Sequence, residues 1–404
     1  MPLVLYLLAL AVFVMGTSEF MLAGLIPAIA ADLDVPLGAA GLLTSAFAAG
    51  MVLGAPLMAA FSRRWPPRTT LLACLLVFAG SHVAAALTPQ FAILLVTRVL
   101  SALACAGFLA VALGTATTLV PAHRTGRALA ILLSGTTIAT IAGVPAGALL
   151  GTAMGWRATF WAIALLCIPA ALGILAGMER MPAPAARATG PDLRAELTEL
   201  GSSRLLRAMV LAALVNAGTF AAFTYLAPVV TVAAGLADGW VPVALVAFGV
   251  GSFLGVTIAG RLSDRWPGPV LAVGGPMLLI GWVALALLAS RPGLLLALVL
   301  VQGMLSFGIG STLIARVLHA ASGAPTMGGA SATAALNIGA AAGPALGALV
   351  LSADRGVLAP IWAAAGLTAA ALTVMSLSRP RRDASATTGR PAGGSPRRAS
   401  RAHG

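Results

Sequence analysis

The chain reads as a succession of apolar runs, each roughly 20 residues long, separated by short polar segments. Six occupy the first half, at about 4–30, 41–61, 69–88, 91–119, 128–153 and 157–177. Six more follow, at about 207–235, 241–262, 269–289, 293–318, 326–352 and 356–378. A helix needs about 20 residues to cross the ~30 Å hydrocarbon layer, so each run predicts one spanning helix. Membrane barrels show strands of about 10 residues that alternate apolar and polar, and these continuous runs do not alternate. The predicted fold is an all-α polytopic membrane protein with 12 transmembrane helices.

The polar segment 178–206 divides the chain into a first bundle (1–177) and a second (207–378). It carries Glu179, Arg180, Arg187, Asp192, Arg194, Glu196, Glu199 and Arg204 among three prolines, and a short surface helix is expected near 192–200. Residues 379–404 are rich in Arg, Gly, Ser and Pro, with too few apolar side chains to build a core, and are expected to be disordered. The halves repeat each other. Gly50, Leu53, Gly54, Ser62, Arg64, Trp65 and Pro66 recur 201 positions later as Gly251, Leu254, Gly255, Ser263, Arg265, Trp266 and Pro267. Gly143 and Gly147 recur 200 later as Gly343 and Gly347, and Pro27 finds Pro228. Two six-helix units in one orientation imply a pseudo-twofold axis along the membrane normal with a site between them.

Composition agrees with the pattern. Of 404 residues, 60% are hydrophobic and 9% charged, against roughly 25% charged in soluble domains. The net charge of +13 comes from 24 basic residues, all Arg. Placed between spans and in the tail, they fit membrane orientation and not nucleic-acid binding. With the N-terminus inside, twenty Arg fall on the cytoplasmic side, three (Arg157, Arg291, Arg355) outside, and Arg98 within the membrane. The excess predicts a multi-pass inner-membrane protein with both termini cytoplasmic. The start of the chain lacks a basic n-region and reads as a retained helix, not a cleaved signal. Cys74, Cys105 and Cys167 sit inside apolar runs without CxxC spacing or a nearby His, so they read as buried small hydrophobes. No metal site or cofactor is implied. Without any Lys the chain cannot complete a GxxxxGKS/T phosphate loop, so a primary ATP-driven pump is excluded for this chain alone. No His, Asp or Cys cluster suggests an enzyme.

A few polar groups lie within the spans. From 3 to 31 the ionisable side chains are Glu19 and the weakly acidic Tyr6. A carboxylate in hydrocarbon costs a few kcal/mol and usually faces a cavity, a partner or a proton path. By helix rise, Glu19 sits about 4–5 Å outward of its span's centre and Arg98 about 6 Å outward of its own. They share a level in the membrane. His82 reads as a hydrogen-bonded packing residue or a proton relay. Asn216 and Asn337 read as cavity lining or interhelical bonding, and Asp32 and Asp34 as solvated.

Several stretches resemble the major facilitator superfamily. Gly260-Arg-Leu-Ser-Asp264-Arg265 is similar to its GxLxDR gate loop, although the first-half copy has Arg63 where Asp264 stands. Arg63, Arg64 and Arg68 are then either a differently wired gate or orientation charges. Gly143-Val-Pro145-Ala-Gly147 resembles the superfamily's antiporter motif, with Gly343-Pro344-Ala-Leu-Gly347 as counterpart. Small residues and Pro there predict a tightly packed, bendable seam between the halves. Gly16-Thr-Ser-Glu19-Phe20-Met-Leu-Ala-Gly24-Leu-Ile-Pro27 resembles the first-helix motif of drug:proton antiporters and sugar-efflux permeases. The segment from Arg98 to Phe108, and Gly155-Trp-Arg-Ala-Thr-Phe160, are similar to bacterial chloramphenicol exporters.

The resemblance implies two six-helix bundles, no enzymatic activity, and proton-coupled efflux of a small amphipathic antibiotic, chloramphenicol first, by a monomer in lipid. In the resembled fold the first and fourth helices line the first-half cavity, so Glu19 and Arg98, at one level, would face it together, be able to pair, and carry the proton coupling. Phe20, Phe108, Asn216, Phe220, Phe223, Tyr225 and Asn337 are the candidate cavity residues. A sugar or other metabolite permease is the alternative, and the shortage of Asn, Gln and Tyr in the spans argues against it.

Overall fold

Among the described residues, 12 helices are long and apolar enough to cross a membrane. The computed structural model describes residues 2–61, 65–178, 202–263, 265–321, 325–353 and 355–377. The helix expected near 192–200, the basic tail, Arg63, Arg64 and Asp264 lie outside these residues. The first half comprises α1 (Leu3–Phe20), α2 (Leu22–Asp32), α3 (Leu37–Phe61), α4 (Pro67–Leu87), α5 (Phe91–Thr118), α6 (Thr125–Ile138), α7 (Val144–Met154) and α8 (Trp156–Gly177). The second comprises α9 (Ser203–Thr224), α10 (Trp240–Ser263), α11 (Pro267–Leu288), α12 (Pro292–Ala320), α13 (Pro325–Ser352) and α14 (Ala359–Leu377).

Local chemistry sets many of the ends. Pro lies in the first turn of α4, α11 and α12, where its missing N–H would have no intrahelical partner anyway. Ser202 caps α9 by accepting from the Leu205 N–H at 3.3 Å. The expected start of the second span, residue 41, is too late: the Ala40 N–H already closes on the Pro36 carbonyl at 3.1 Å.

Two predicted spans are interrupted. The first breaks at Met21, between α1 and α2, and the seventh breaks at Tyr225. Two wide π turns add further bends, at Ala139–Gly143 between α6 and α7, and at Val229–Ala233 just after Pro228. In these turns the Val144 N–H reaches back to Ala139 and the Ala234 N–H to Val229. Such turns are a recognised cause of helix bending.

The repeated glycines explain one another. A side chain on Gly50 would meet Ala102 Cβ at 2.7 Å, and one on Gly54 would meet Ala106 Cβ at 2.8 Å. Their counterparts Gly251 and Gly255 lie against the Leu300 and Met304 backbones. The pairs α3–α5 and α10–α12 therefore approach each other in the same way. Gly343 abuts the Ala217 backbone, and Gly347 abuts the Tyr225 ring. Gly143 meets Thr17, and Gly147 meets Thr159 and Met21. These four glycines fasten the two motif segments to helices of their own half, while α7 packs across on α10 and α13 on α3, so both segments lie where the halves meet. The sequence could show that the residues are small, but not which face they occupy.

Each half has an apolar core, but the second core also takes in Ala23, Val144 and Ala148 of the first half, and a small cluster of Ala48, Phe220 and Ala340 joins the halves as well. Contact between halves is close at the end opposite the termini. A Cβ on Gly38 of α3 would lie 3.0 Å from the Ala348 carbonyl oxygen of α13. Gly249 of α10 abuts Thr140 and Ile141 in the first π turn. Tyr225, fully buried, donates to the Pro344 carbonyl at 2.9 Å and lies 3.3 Å from the Gly38 carbonyl. Toward the termini the same helices open out. Leu53 and Leu57 of α3 are exposed, as are Phe253, Leu254, Val256, Ile258 and Leu262 of α10, while Gly54 and Gly255 stay packed on their own half. The bundle is thus closed at the far end and parted at the end that carries both termini.

Gly343→Val is expected to lower the melting temperature in detergent, because overpacking a tight contact costs about 1–3 kcal/mol. Gly80→Ala, at an exposed position with open space around it, is expected to leave the melting temperature unchanged or slightly higher.

Candidate functional site

The break at Met21 leaves Thr17, Ser18 and Glu19 in the last turn of α1, facing α4, α5 and the first π turn. Arg98 of α5 is fully buried there. A guanidinium has five N–H donors and no acceptor, so in a dry interior it must find acceptors on its neighbours. Its Nη1 donates to Ser18 Oγ at 2.9 Å and its Nη2 to the Ser18 carbonyl at 2.8 Å. Its cationic carbon lies 4.5 Å from the centre of the Phe47 ring on α3, a cation–π contact that strengthens where water is excluded. Nε has no partner among the described residues.

Ser18 ties this cation to an imidazole. Its Oγ is 2.7 Å from His82 Nε2, and His82 Nδ1 is 2.8 Å from the Phe78 carbonyl. A carbonyl only accepts, so Nδ1 carries the proton and Nε2 is the acceptor. The Ser18 hydroxyl accepts from Arg98 and donates to His82. Ser18 and His82 are both fully buried. His82 is therefore a packing residue with a directed role, further fixed by Phe78 and Phe160 at ring distances of 4.3 and 5.7 Å.

Glu19 keeps partial exposure beside this knot. It and Arg98 attract each other through space. The only ion-pair contact among the described residues is elsewhere, so the pairing expected from their shared depth is not formed in this conformation. Arg98 turns its donors to Ser18, one residue away. The shared depth holds, but spacing alone could not reveal the competing acceptor.

The next residue, Phe20, begins an aromatic row that crosses between the halves. Its ring is 5.8 Å from Phe220 and 6.3 Å from Phe223 of α9. Phe223 stacks on Phe248 of α10 at 4.6 Å, and Phe248 meets Phe307 of α12 edge-on at 6.0 Å. The structure thus brings together Glu19, Phe20, Phe220 and Phe223, and adds Phe248 and Phe307, whose only sequence signal was an aromatic in an apolar span. Phe108 does not join them: it is fully buried in the first-half core. Tyr225 belongs to the far-end closure, where its hydroxyl bridges carbonyls. Asn216 donates to the Leu336 carbonyl at 2.7 Å, binding α9 to α13, and Asn337 donates to Thr333 of its own helix at 3.0 Å. Both asparagines keep partial exposure.

At the far end, Gly155 has φ of +84°, a conformation natural to glycine, and it turns the chain from α7 into α8. The turn sets Trp156 and Arg157 over Asp32. Arg157 forms an ion pair with Asp32 and its guanidinium lies 4.3 Å from the Trp156 ring centre. The Trp156 indole also donates to Asp32, at 3.2 Å. The Arg157 hydrogen bond, more than any other contact, holds the Asp32 carboxyl below its ordinary range. Asp32 is therefore engaged and not simply solvated. Of the gate-loop residues, Gly260 and Arg265 are exposed near the terminal side. Arg68 donates to the Leu175 carbonyl at 2.6 Å, linking α4 to α8.

Residues 8–333 match the family model described as Major Facilitator Superfamily. The chain is 63% identical over 374 residues to a chloramphenicol resistance protein of Streptomyces lividans, covering 93% of this chain and 95% of that one. It is 30% identical over 390 residues to a chloramphenicol efflux pump of Mycobacterium tuberculosis, covering 93% and 92%. Its fold is similar to a crystal structure of a bacterial homologue of the human lysosomal transporter Spinster, inward-facing and unoccupied. That match has a TM-score of 0.72 at 18% identity and covers 93% of this chain and 94% of the other.

Ser18→Ala leaves one buried Arg98 donor and the His82 acceptor unmet, and is expected to cost about 1–3 kcal/mol of stability, read by thermal unfolding. Ser18→Ala combined with His82→Leu is expected to cost less than the sum of the two, because both remove the same hydrogen bond. Strict additivity would contradict the shared bond.

Proposed function

Since the chain belongs to the major facilitator superfamily, we propose that it exports chloramphenicol or a similar uncharged amphipathic antibiotic from the cytoplasm in exchange for external protons. The observation that carries this reading is the adjacency of a partly exposed membrane carboxylate, Glu19, to an aromatic row shared by both halves. One residue can hold a proton while the next meets an aromatic drug. The names of the Streptomyces and Mycobacterium relatives support the substrate, and the lack of other acidic groups around the row among the described residues suits a ligand without charge.

The reading takes the terminal side to be cytoplasmic, as the Arg distribution favours. In the conformation described, Phe20 and Glu19 then face the cytoplasm. A drug enters against Phe20, Phe220 and Phe223, where an aromatic ring gains offset or edge contacts in addition to burial. Glu19 gives up its proton on this side. The halves then rock about the bends at Met21, the first π turn and Tyr225. The Tyr225 closure parts, and the drug leaves outward as Glu19 takes a new proton. Arg98 is the second moving part. Held by Ser18 it stands off from Glu19; a shift of α1 against α5 changes the attraction between the two charges and with it the carboxylate's hold on its proton. The protein acts as a single chain in the cell membrane with both termini inside.

In everted membrane vesicles carrying the protein, labelled chloramphenicol is expected to accumulate when the interior is acidified. A protonophore is expected to reduce the accumulation to that of vesicles without the protein. Accumulation that persists with the protonophore would contradict proton exchange, and no accumulation in any condition would contradict the substrate.

A further inference from the structure

The second half holds a buried polar pair with no part in the scheme above. Trp282 of α11 and Gln302 of α12 are 1% and 0% exposed. Gln302 Nε2 donates to the Leu278 carbonyl at 3.2 Å, which fixes the carboxamide's orientation. Its Oε1 and the Trp282 Nε1–H have no protein partner among the described residues. Most buried polar atoms have one, and leaving one unmet costs about 1–3 kcal/mol. The position is also made for a polar side chain: a Cβ on Gly281 would collide with Gln302 Oε1, so only glycine leaves the carboxamide its place.

Both residues line one small cavity, together with Ala222, Phe223, Leu226 and Phe248. No charged residue lines it, so an ionised ligand group would enter without a counter-charge. Phe223 and Phe248 belong to the aromatic row that begins at Phe20. The cavity therefore adjoins the place where the drug's ring is held. Two of the residues that line it carry an unpartnered donor and an unpartnered acceptor, and the space is too narrow for a second ring. A single oxygen that can both accept and donate matches that pair, and a hydroxyl is such a group.

Resting on the export reading, we infer that Trp282 and Gln302 form a subsite for an alcohol hydroxyl of an uncharged substrate. The hydroxyl oxygen accepts from Trp282 Nε1–H, and its proton is donated to Gln302 Oε1. The aromatic body of the same molecule lies against Phe20, Phe220 and Phe223. The two halves then divide the work: the first supplies the titratable group and the second reads the neutral polar end of the cargo.

The test measures KM for uptake into everted vesicles with three compounds: chloramphenicol and the two analogues in which one or the other hydroxyl is replaced by hydrogen. Wild type, Gln302→Leu and Trp282→Phe are compared at equal membrane abundance. Wild type is expected to take chloramphenicol with a KM about tenfold lower than that of one deoxy analogue. Each variant is expected to raise the chloramphenicol KM to that analogue's value while leaving the analogue's own KM unchanged, which also shows that the variant is folded. A shift shared by all three compounds, no shift in either variant, or loss of all transport in both overturns the subsite. Wild type that carries all three with one KM overturns the subsite alone. Wild type that carries none overturns the export reading, and the subsite with it.

Discussion

Arg98 is a full positive charge with no exposed surface, and the first half is organised around satisfying it. Membrane interiors supply no water to do so, and an embedded charge persists only where protein groups replace the lost hydration. Ser18 gives both its hydroxyl and its carbonyl, Phe47 gives a ring face, and His82 fixes the hydroxyl's direction by accepting its proton. Four helices, α1, α3, α4 and α5, are thereby registered against one another at one depth. The break in the first span directly follows this knot, so Glu19 and Phe20 are held by a rigid anchor on one side and a bend on the other. A carboxylate in that position can be sensitive to how the halves sit without being loosely placed itself.

The second half copies the packing but not the charge. Gly251 and Gly255 reproduce the close approach of Gly50 and Gly54, and Gly343 and Gly347 fasten α13 to the seventh span as Gly143 and Gly147 fasten α7 to the first. Where the first half buries an arginine and a histidine, the second buries Trp282 and Gln302. The two bundles thus share a framework and differ in their buried polar groups, which under the proposed exchange places the titratable group in one half alone. Closure at the far end, by Tyr225 and the contact of Gly38 with α13, and parting at the terminal end are the geometry such a rocking pair has at one limit of its motion.

Much of the fold was legible because lipid imposes simple rules. Continuous apolar runs gave all 12 spans, and the 201-residue offset gave the repeat, because a spanning helix must be long and a duplicated bundle must keep its glycine contacts. Glu19 and Arg98 stood out because charge is costly in a membrane. What escaped was decided by partners far along the chain. Ser18 is one of many hydroxyls in the spans, and its role appears only when His82 and Arg98, 64 and 80 residues away, are brought to it. Phe108 and Phe20 look alike in sequence, yet one faces a core and the other a seam, since helix rotation is set by packing. Tyr225 read as cavity lining because an aromatic with a hydroxyl suits both a ligand and a pair of carbonyls. Asp32 read as solvated because it falls in an external loop and its partner Arg157 lies 125 residues further along the chain.

The central claim is that Glu19 is where proton movement and drug movement meet. The direct measurement is proton flux driven by a chloramphenicol gradient in proteoliposomes that enclose a pH-sensitive dye, for wild type and Glu19→Gln side by side. The account predicts that wild type moves protons against the direction of drug flow, and that Glu19→Gln passes drug down its gradient with no accompanying proton signal. Proton movement that survives in Glu19→Gln would contradict it.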